Sequence, residues 1–161
     1  MHLFPARIAS SLLALACLAA PLQAQTTAAA GNAVAGVVKR SQGEVTIERA
    51  GQRLAATPGT AVMASDTLRT GPASAAGITL RDDTLLTLGP DSELVLSNFS
   101  FDATTHEGKL LTSLWRGMLH MVTGLIARKS PEQVNVQTRT VVLGTRGTEF
   151  IVETQAAAEA K

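Results

Sequence analysis

The sequence predicts an all-β domain of many short strands, a compact β-roll or solenoid-like unit or a sandwich, behind a cleavable N-terminal signal helix. Three observations carry the prediction. Apolar residues alternate with polar ones in short runs, the signature of strands with one face buried and one wet. Gly, Pro, Asn, Asp and Ser punctuate these runs about every eight to twelve residues. Only one segment, Leu110 to Ile126, has spacing compatible with a helix of any length.

The leader comes first. Arg7 precedes an apolar run from Ile8 to Ala20, and Pro21-Leu22-Gln23-Ala24 offers a cleavage site before Gln25. This is the order of a secretory signal, and its apolar run falls short of the roughly 20 residues that span a membrane. A lipidated Cys17 is the other reading; Ala14 stands where such sites usually carry Leu, and the apolar run would be cut short, so cleavage after Ala24 is preferred. The expected organisation is a signal peptide at 1–24, a flexible linker at 25–32, an all-β domain at 33–153 and a disordered tail at 154–161. The chain is therefore expected in the periplasm of a Gram-negative bacterium.

Of 14 Lys and Arg residues only Arg7 leaves with the leader, which leaves 13 basic against 13 acidic residues. A neutral chain lacks the basic excess that nucleic-acid binding requires. Cys17 is the single cysteine, so the domain expected after cleavage is held by its core without disulfides.

Strand by strand, Val45 and Ile47 alternate with Glu44, Thr46 and Glu48, and Ala50-Gly51 follows as a turn. Pro58-Gly59 and Gly71-Pro72 separate the next runs. Ile78 and Leu80 alternate with Thr79 and Arg81, Asp82-Asp83 forms a turn, and Thr84–Leu88 leads to Gly89-Pro90-Asp91. Leu94 and Leu96 open a run in which Phe99 and Phe101 later share one face. Gly117 would cost a helix about 1 kcal/mol relative to Ala, so Leu110 to Ile126 is read as two strands, Lys109–Trp115 and Met118–Ile126, joined at Arg116-Gly117. Val134 and Val136, Val141–Leu143 and Phe150–Val152 complete the strands. No exact repeat recurs, which weighs against a regular solenoid.

The closing segment T-V-V-L-G-T-R-G-T-E-F-I-V-E, Thr140 to Glu153, resembles the end of the FecR family, bacterial periplasmic signalling modules. Further similarity lies in G-V-V-K-R-S-Q-G-E-V-T-I-E-R from Gly36, P-G-T-A-V-M-A-S-D-T-L-R-T-G from Pro58 and A-A-G-I-T-L-R-D-D-T-L-L-T-L-G-P-D-S-E-L from Ala75, so that it spans about Gly36 to Val152. Asp83 stands where the family more often has Gly, so Asp must carry the unusual backbone angles or the turn differs. Arg139 stands where Pro is frequent. The family's regulators combine a cytosolic anti-sigma part, one transmembrane helix and a periplasmic domain. Only the last has a counterpart here, so the resemblance implies the fold and a bias towards binding another envelope protein.

Within the motif, Gly144, Arg146, Gly147, Thr148 and Phe150 are read as a structural turn, with Arg146 as a salt bridge or carbonyl clamp and partner contact as the functional alternative. Phe99 and Phe101 are the first choice for a partner-facing pair, against a core role. Trp115 and Phe150 are assigned to the core. His106 is expected in a solvated loop, and His120 half exposed on a strand, with no convergent partners for a metal. No G-x-S-x-G elbow occurs, and carboxylates such as Asp66 and Asp91 sit in turns, where they bond local N–H groups. The expectation is no enzyme, no cofactor and no metal: a non-catalytic protein-interaction or sensing module, with a ligand- or polysaccharide-binding envelope protein as the alternative.

Overall fold

The protein is described here from a computed structural model covering residues 33–144 and 148–154. The expected leader and linker, and residues 155–161 of the expected tail, lie outside the described residues. Twelve strands form one sheet, almost wholly antiparallel, curled on itself into a half-barrel. In chain order they are β1 (Val34–Gln42), β2 (Val45–Arg49), β3 (Gln52–Ala55), β4 (Ala61–Met63), β5 (Thr67–Thr70), β6 (Ala75–Leu80), β7 (Leu85–Leu88), β8 (Glu93–Phe101), β9 (Gly108–Val122), β10 (Val134–Gln137), β11 (Val142–Gly144) and β12 (Glu149–Thr154). A five-residue helix α1 (Leu125–Lys129) and a 3-10 turn at Pro131–Gln133 link β9 to β10.

Strand β9 is the spine. Its first half pairs with β8 on one side and, in parallel, with β10 on the other. Its second half pairs with β7 and β12. The pairing β3-β2-β5-β8-β9 makes one layer, and β9-β7-β6-β1-β4 makes the other. The two layers share one core, in which Val38, Ile78 and Leu86 of one layer meet Ile47, Leu68 and Leu94 of the other. Burying each such side chain stabilises the fold by about 1.5–3 kcal/mol.

The period-two runs read from the sequence point inward: Val45, Ile47, Ile78, Leu80, Leu94, Leu96, Val134 and Val136 are all buried. Ala50 and Gly51 both have positive φ, as the two-residue turn between β2 and β3 requires. Asp83 carries φ 65 in the turn between β6 and β7, so Asp supplies the left-handed backbone where Gly is commoner. Asp82 beside it is fully buried; its carboxylate accepts bonds from Thr84 Oγ1 at 2.7 Å and Thr84 N–H at 3.2 Å.

The segment 109–126 differs from expectation. It is not two strands: β9 is one fifteen-residue strand that bends at Gly117, and Ile126 belongs to α1. Gly117 has φ 83, and a Cβ there would sit 2.2 Å from Ser92 Oγ, so the chain passes between layers at a point only glycine fits. The bend also reverses which side chains face inward. Leu110 and Leu114 are buried before it, Leu119 and Met121 after it. Trp115 consequently lies on the outer face, 46% exposed, and is not a core residue. Several strands are also longer than the sequence suggested, with nine residues in β1 and in β8.

A repeated corner organises the layer crossings. Gly71-Pro72-Ala73-Ser74 joins β5 to β6, and Gly89-Pro90-Asp91-Ser92, 18 positions later, joins β7 to β8. In each, the third residue has φ 51 and the buried serine Oγ donates to the proline carbonyl at 3.1 Å. Each serine also accepts a main-chain N–H, Ser74 from Glu44 at 2.9 Å and Ser92 from Met118 at 3.0 Å. Facing them stand Gly43 and Gly117, both with positive φ and both too close to the serine for a Cβ. The pairings β1–β6 and β2–β5 thus recur, with the layers exchanged, as the first half of β9 with β8 and the second half with β7. Thr70 ties the corners together through Oγ1, which donates to the Gly89 carbonyl at 2.6 Å and accepts Ser92 N–H at 2.9 Å.

Candidate functional site

The family-like segment begins at the outer edge of one layer. β10 lies beside β9, and the chain then reverses through a turn that Thr138 closes: its N–H donates to the Val141 carbonyl at 2.8 Å and its Oγ1 accepts Val141 N–H at 3.1 Å. β11 returns antiparallel to β10, with Gln137 opposite Val142 and Asn135 opposite Gly144. Among the described residues no strand pairs with the far side of β11. Val141 is 50% exposed and Val142 62%. Val142 and Leu143 therefore stand on an open edge, with Val141 in the turn before them, the arrangement that templates addition of another strand.

Gly144 has no positive φ, and among the described residues a Cβ there would meet Asn135 Oδ1 at 4.0 Å. Arg146 and Gly147, with Thr145, lie outside the described residues. Thr148 anchors the return, its carbonyl accepting Thr123 N–H at 2.8 Å. Phe150 packs half-buried on the core opposite Met121, while its neighbour Ile151 points outward, 65% exposed.

Phe99 and Phe101 are separated from this edge by β9. A register shift between Val95 and Asn98 leaves Ser97 and Asn98 both exposed and changes the inward set from Leu94 and Leu96 to Phe99. Phe99 is buried in the core, and Phe101 packs half-buried against it. Both line a half-open groove of about 710 Å³ together with Val34, Ala64, Arg81 and Lys109. Sequence reasoning missed the two cations, because Arg81 and Lys109 read only as polar members of alternating strands. Beyond Phe101 the chain loops back through Asp102 to Glu107, where His106 stacks on Phe101 with ring centroids 6.3 Å apart. N–H groups of Thr105 and Thr104 hold the Asp102 carboxyl below its ordinary range.

The ionisable groups are used structurally. Asp66, almost fully buried, accepts Arg49 Nε at 2.8 Å and Nη2 at 2.7 Å, and its Oδ2 also accepts Met63 N–H at 2.8 Å. The carboxylate hydrogen bonds raise the Arg49 pKa against the opposing effect of burial. Across β2, β5, β8 and β9 of the same layer runs a row of alternating charge: Arg69 lies 2.9 Å from Glu93 and 3.4 Å from Glu48, and Arg116 lies 3.7 Å from Glu93. Arg69 Nε makes no hydrogen bond despite its proximity to Glu48, so this row contributes charge balance more than directed bonding. His120 is half exposed with Nε2 2.7 Å from Glu149 Oε1, and His106 lies in the solvated loop. No group of three His, Cys, Asp or Glu that could hold a metal occurs among the described residues. No helix of the described residues is long and apolar enough to cross a membrane.

A family model described as FecR protein matches residues 66–160. No curated protein and no solved structure matches the chain. The match opens at the buried Asp66 and takes in β5 to β12, including the open edge and the groove-lining β8. The similarity noted from Gly36 to Ser65 falls outside it, although β1 and β2 are inner strands of the two layers. Since that match covers more than half of the sequence and follows the strands built above, the chain belongs to the FecR family.

Proposed function

We propose that the protein is a non-catalytic sensing or signalling accessory of the periplasm that works by docking another envelope protein along β11. Its family points to signalling, and the leader-like first 24 residues support export. The observation that carries the reading is the open edge of β11 at Val142 and Leu143, inside the matched segment and preceded by exposed Val141. A partner strand added there would gain main-chain hydrogen bonds and cover exposed Val142. The buried carboxylates Asp66 and Asp82 are occupied by structural bonds, which favours a binding role over chemistry.

The test is affinity capture from an envelope fraction by the wild-type chain and by Val142→Lys. A lysine on an open edge opposes strand addition and, at an exposed site, changes stability by no more than about 0.5 kcal/mol. Loss of a captured envelope protein with an unchanged melting temperature is expected. Undiminished capture by V142K overturns the β11 assignment.

A further inference from the structure

Strand β8 outruns the strand beside it. β5 covers β8 only as far as Val95, and the turn after β4 adds a last bond, from Ser65 N–H to the Leu96 carbonyl at 2.7 Å. From Ser97 to Phe101, β8 pairs with β9 alone. The Ser100 carbonyl turns towards β9, since a Cβ on Gly108 would lie 2.2 Å from it. Main-chain groups alternate sides along a strand, so those of Phe99 and Phe101 face the open side. Among the described residues no strand pairs with them there.

The open side is the 710 Å³ groove. Phe99 and Phe101 give it an apolar floor, and Arg81 and Lys109 are exposed along it. Neither cation has an ion-pair partner among the described residues, and no carboxylate lines the groove. A five-residue strand, at about 3.3 Å per residue, 4.8 Å between strands and 10 Å between layers, occupies roughly 800 Å³. The space therefore matches one added strand.

We propose that this groove takes an extended acidic peptide of about five residues, which adds as a strand to Ser97–Phe101. Its apolar side chains rest on Phe99 and Phe101, and its carboxylates pair with Arg81 and Lys109. An acyl chain would fit the apolar floor but leave the outward main-chain groups unpaired, which favours the peptide. Asp102 and Glu107, in the recess beyond Phe101, oppose an acidic residue there and so mark the end of the peptide's acidic stretch. The site is distinct from β11, because β9 lies between β8 and β10.

The probe is a synthetic acetylated Val-Asp-Val-Glu-Val amide, titrated into the isotope-labelled chain and followed by amide NMR. Saturable shifts at Phe99 and Phe101 are expected. A Val-Lys-Val-Lys-Val peptide, and an R81E/K109E variant with the acidic peptide, should each bind about tenfold more weakly. Both substitutions are at exposed positions, so the folded spectrum serves as the control. Methylating alternate peptide nitrogens should abolish binding in one register and spare it in the other, as strand addition demands. The proposal is overturned if no saturable shift occurs at Phe99 and Phe101, if the lysine peptide binds equally well, or if dodecanoate saturates these amides while the peptide does not. Failure here leaves the β11 reading standing, because V142K probes a different edge.

Discussion

Replacing Gly117 with alanine is expected to destabilise the domain more than a one-methyl change ordinarily does. Gly117 has φ 83, where an L side chain costs about 1–2 kcal/mol. The added Cβ would lie 2.2 Å from Ser92 Oγ and 2.5 Å from Ser92 Cα, so a rotamer change at Ser92 cannot clear it. Forcing a methyl into so close a contact costs about 1–3 kcal/mol more. The expected loss is about 2–5 kcal/mol, a fall in melting temperature of roughly 10–20 °C for a domain of this size. Gly77→Ala is the matched control: its Cβ would meet Arg40 Cβ at 3.4 Å and Arg40 N at 4.0 Å, ordinary contacts, with no positive φ. That change should be neutral or stabilising by up to about 1 kcal/mol, through a less flexible unfolded chain. Thermal unfolding by circular dichroism reads both. A Gly117→Ala protein within about 2 °C of wild type would refute the claim that the corner between β7 and β8 locks the bend in β9.

Two further predictions concern stability. Asp66→Ala leaves Met63 N–H without its acceptor and Arg49 with the Ala61 carbonyl alone; because the Arg49 side chain is 29% exposed and can be rehydrated, the cost should be about 2–3 kcal/mol by urea denaturation, less for Asp66→Asn. Residues 66–154 alone, close to the family match, should show no cooperative unfolding. They lack β1 to β4 and with them buried Val38, Val45, Ile47 and Val62, together about 6–12 kcal/mol of burial against a typical total stability of about 5–15 kcal/mol.

Much of the fold was legible because period two survives locally. Val45 and Ile47, or Val134 and Val136, need only their immediate neighbours to declare an inner face, and Ala50-Gly51 and Asp83 declare their turns in the same way. Trp115 was not legible. Leu110 and Leu114 imply one inward set and Leu119 and Met121 the other, and only the left-handed bend at Gly117 reconciles them by turning Trp115 outward. The two Gly-Pro-x-Ser corners are plain in the sequence, but their meaning depends on Gly43 and Gly117, partners distant along the chain. The groove was hidden for the same reason: Arg81, Phe99 and Lys109 sit on the turn after β6, on β8 and on β9, and the register shift in β8 has no signature beyond two adjacent polar residues, Ser97 and Asn98. The open edge of β11 followed from pairing alone, since Val141–Leu143 reads equally well as an inner strand.

In the proposed function a partner docks along β11. The most direct measurement places a photo-crosslinking residue at Val142 on β11, or at exposed Leu54 on the opposite edge strand β3, in cells that express the chain. A discrete adduct with one envelope protein is expected from position 142 and none from position 54. An adduct from position 54 with none from position 142 would contradict docking along β11.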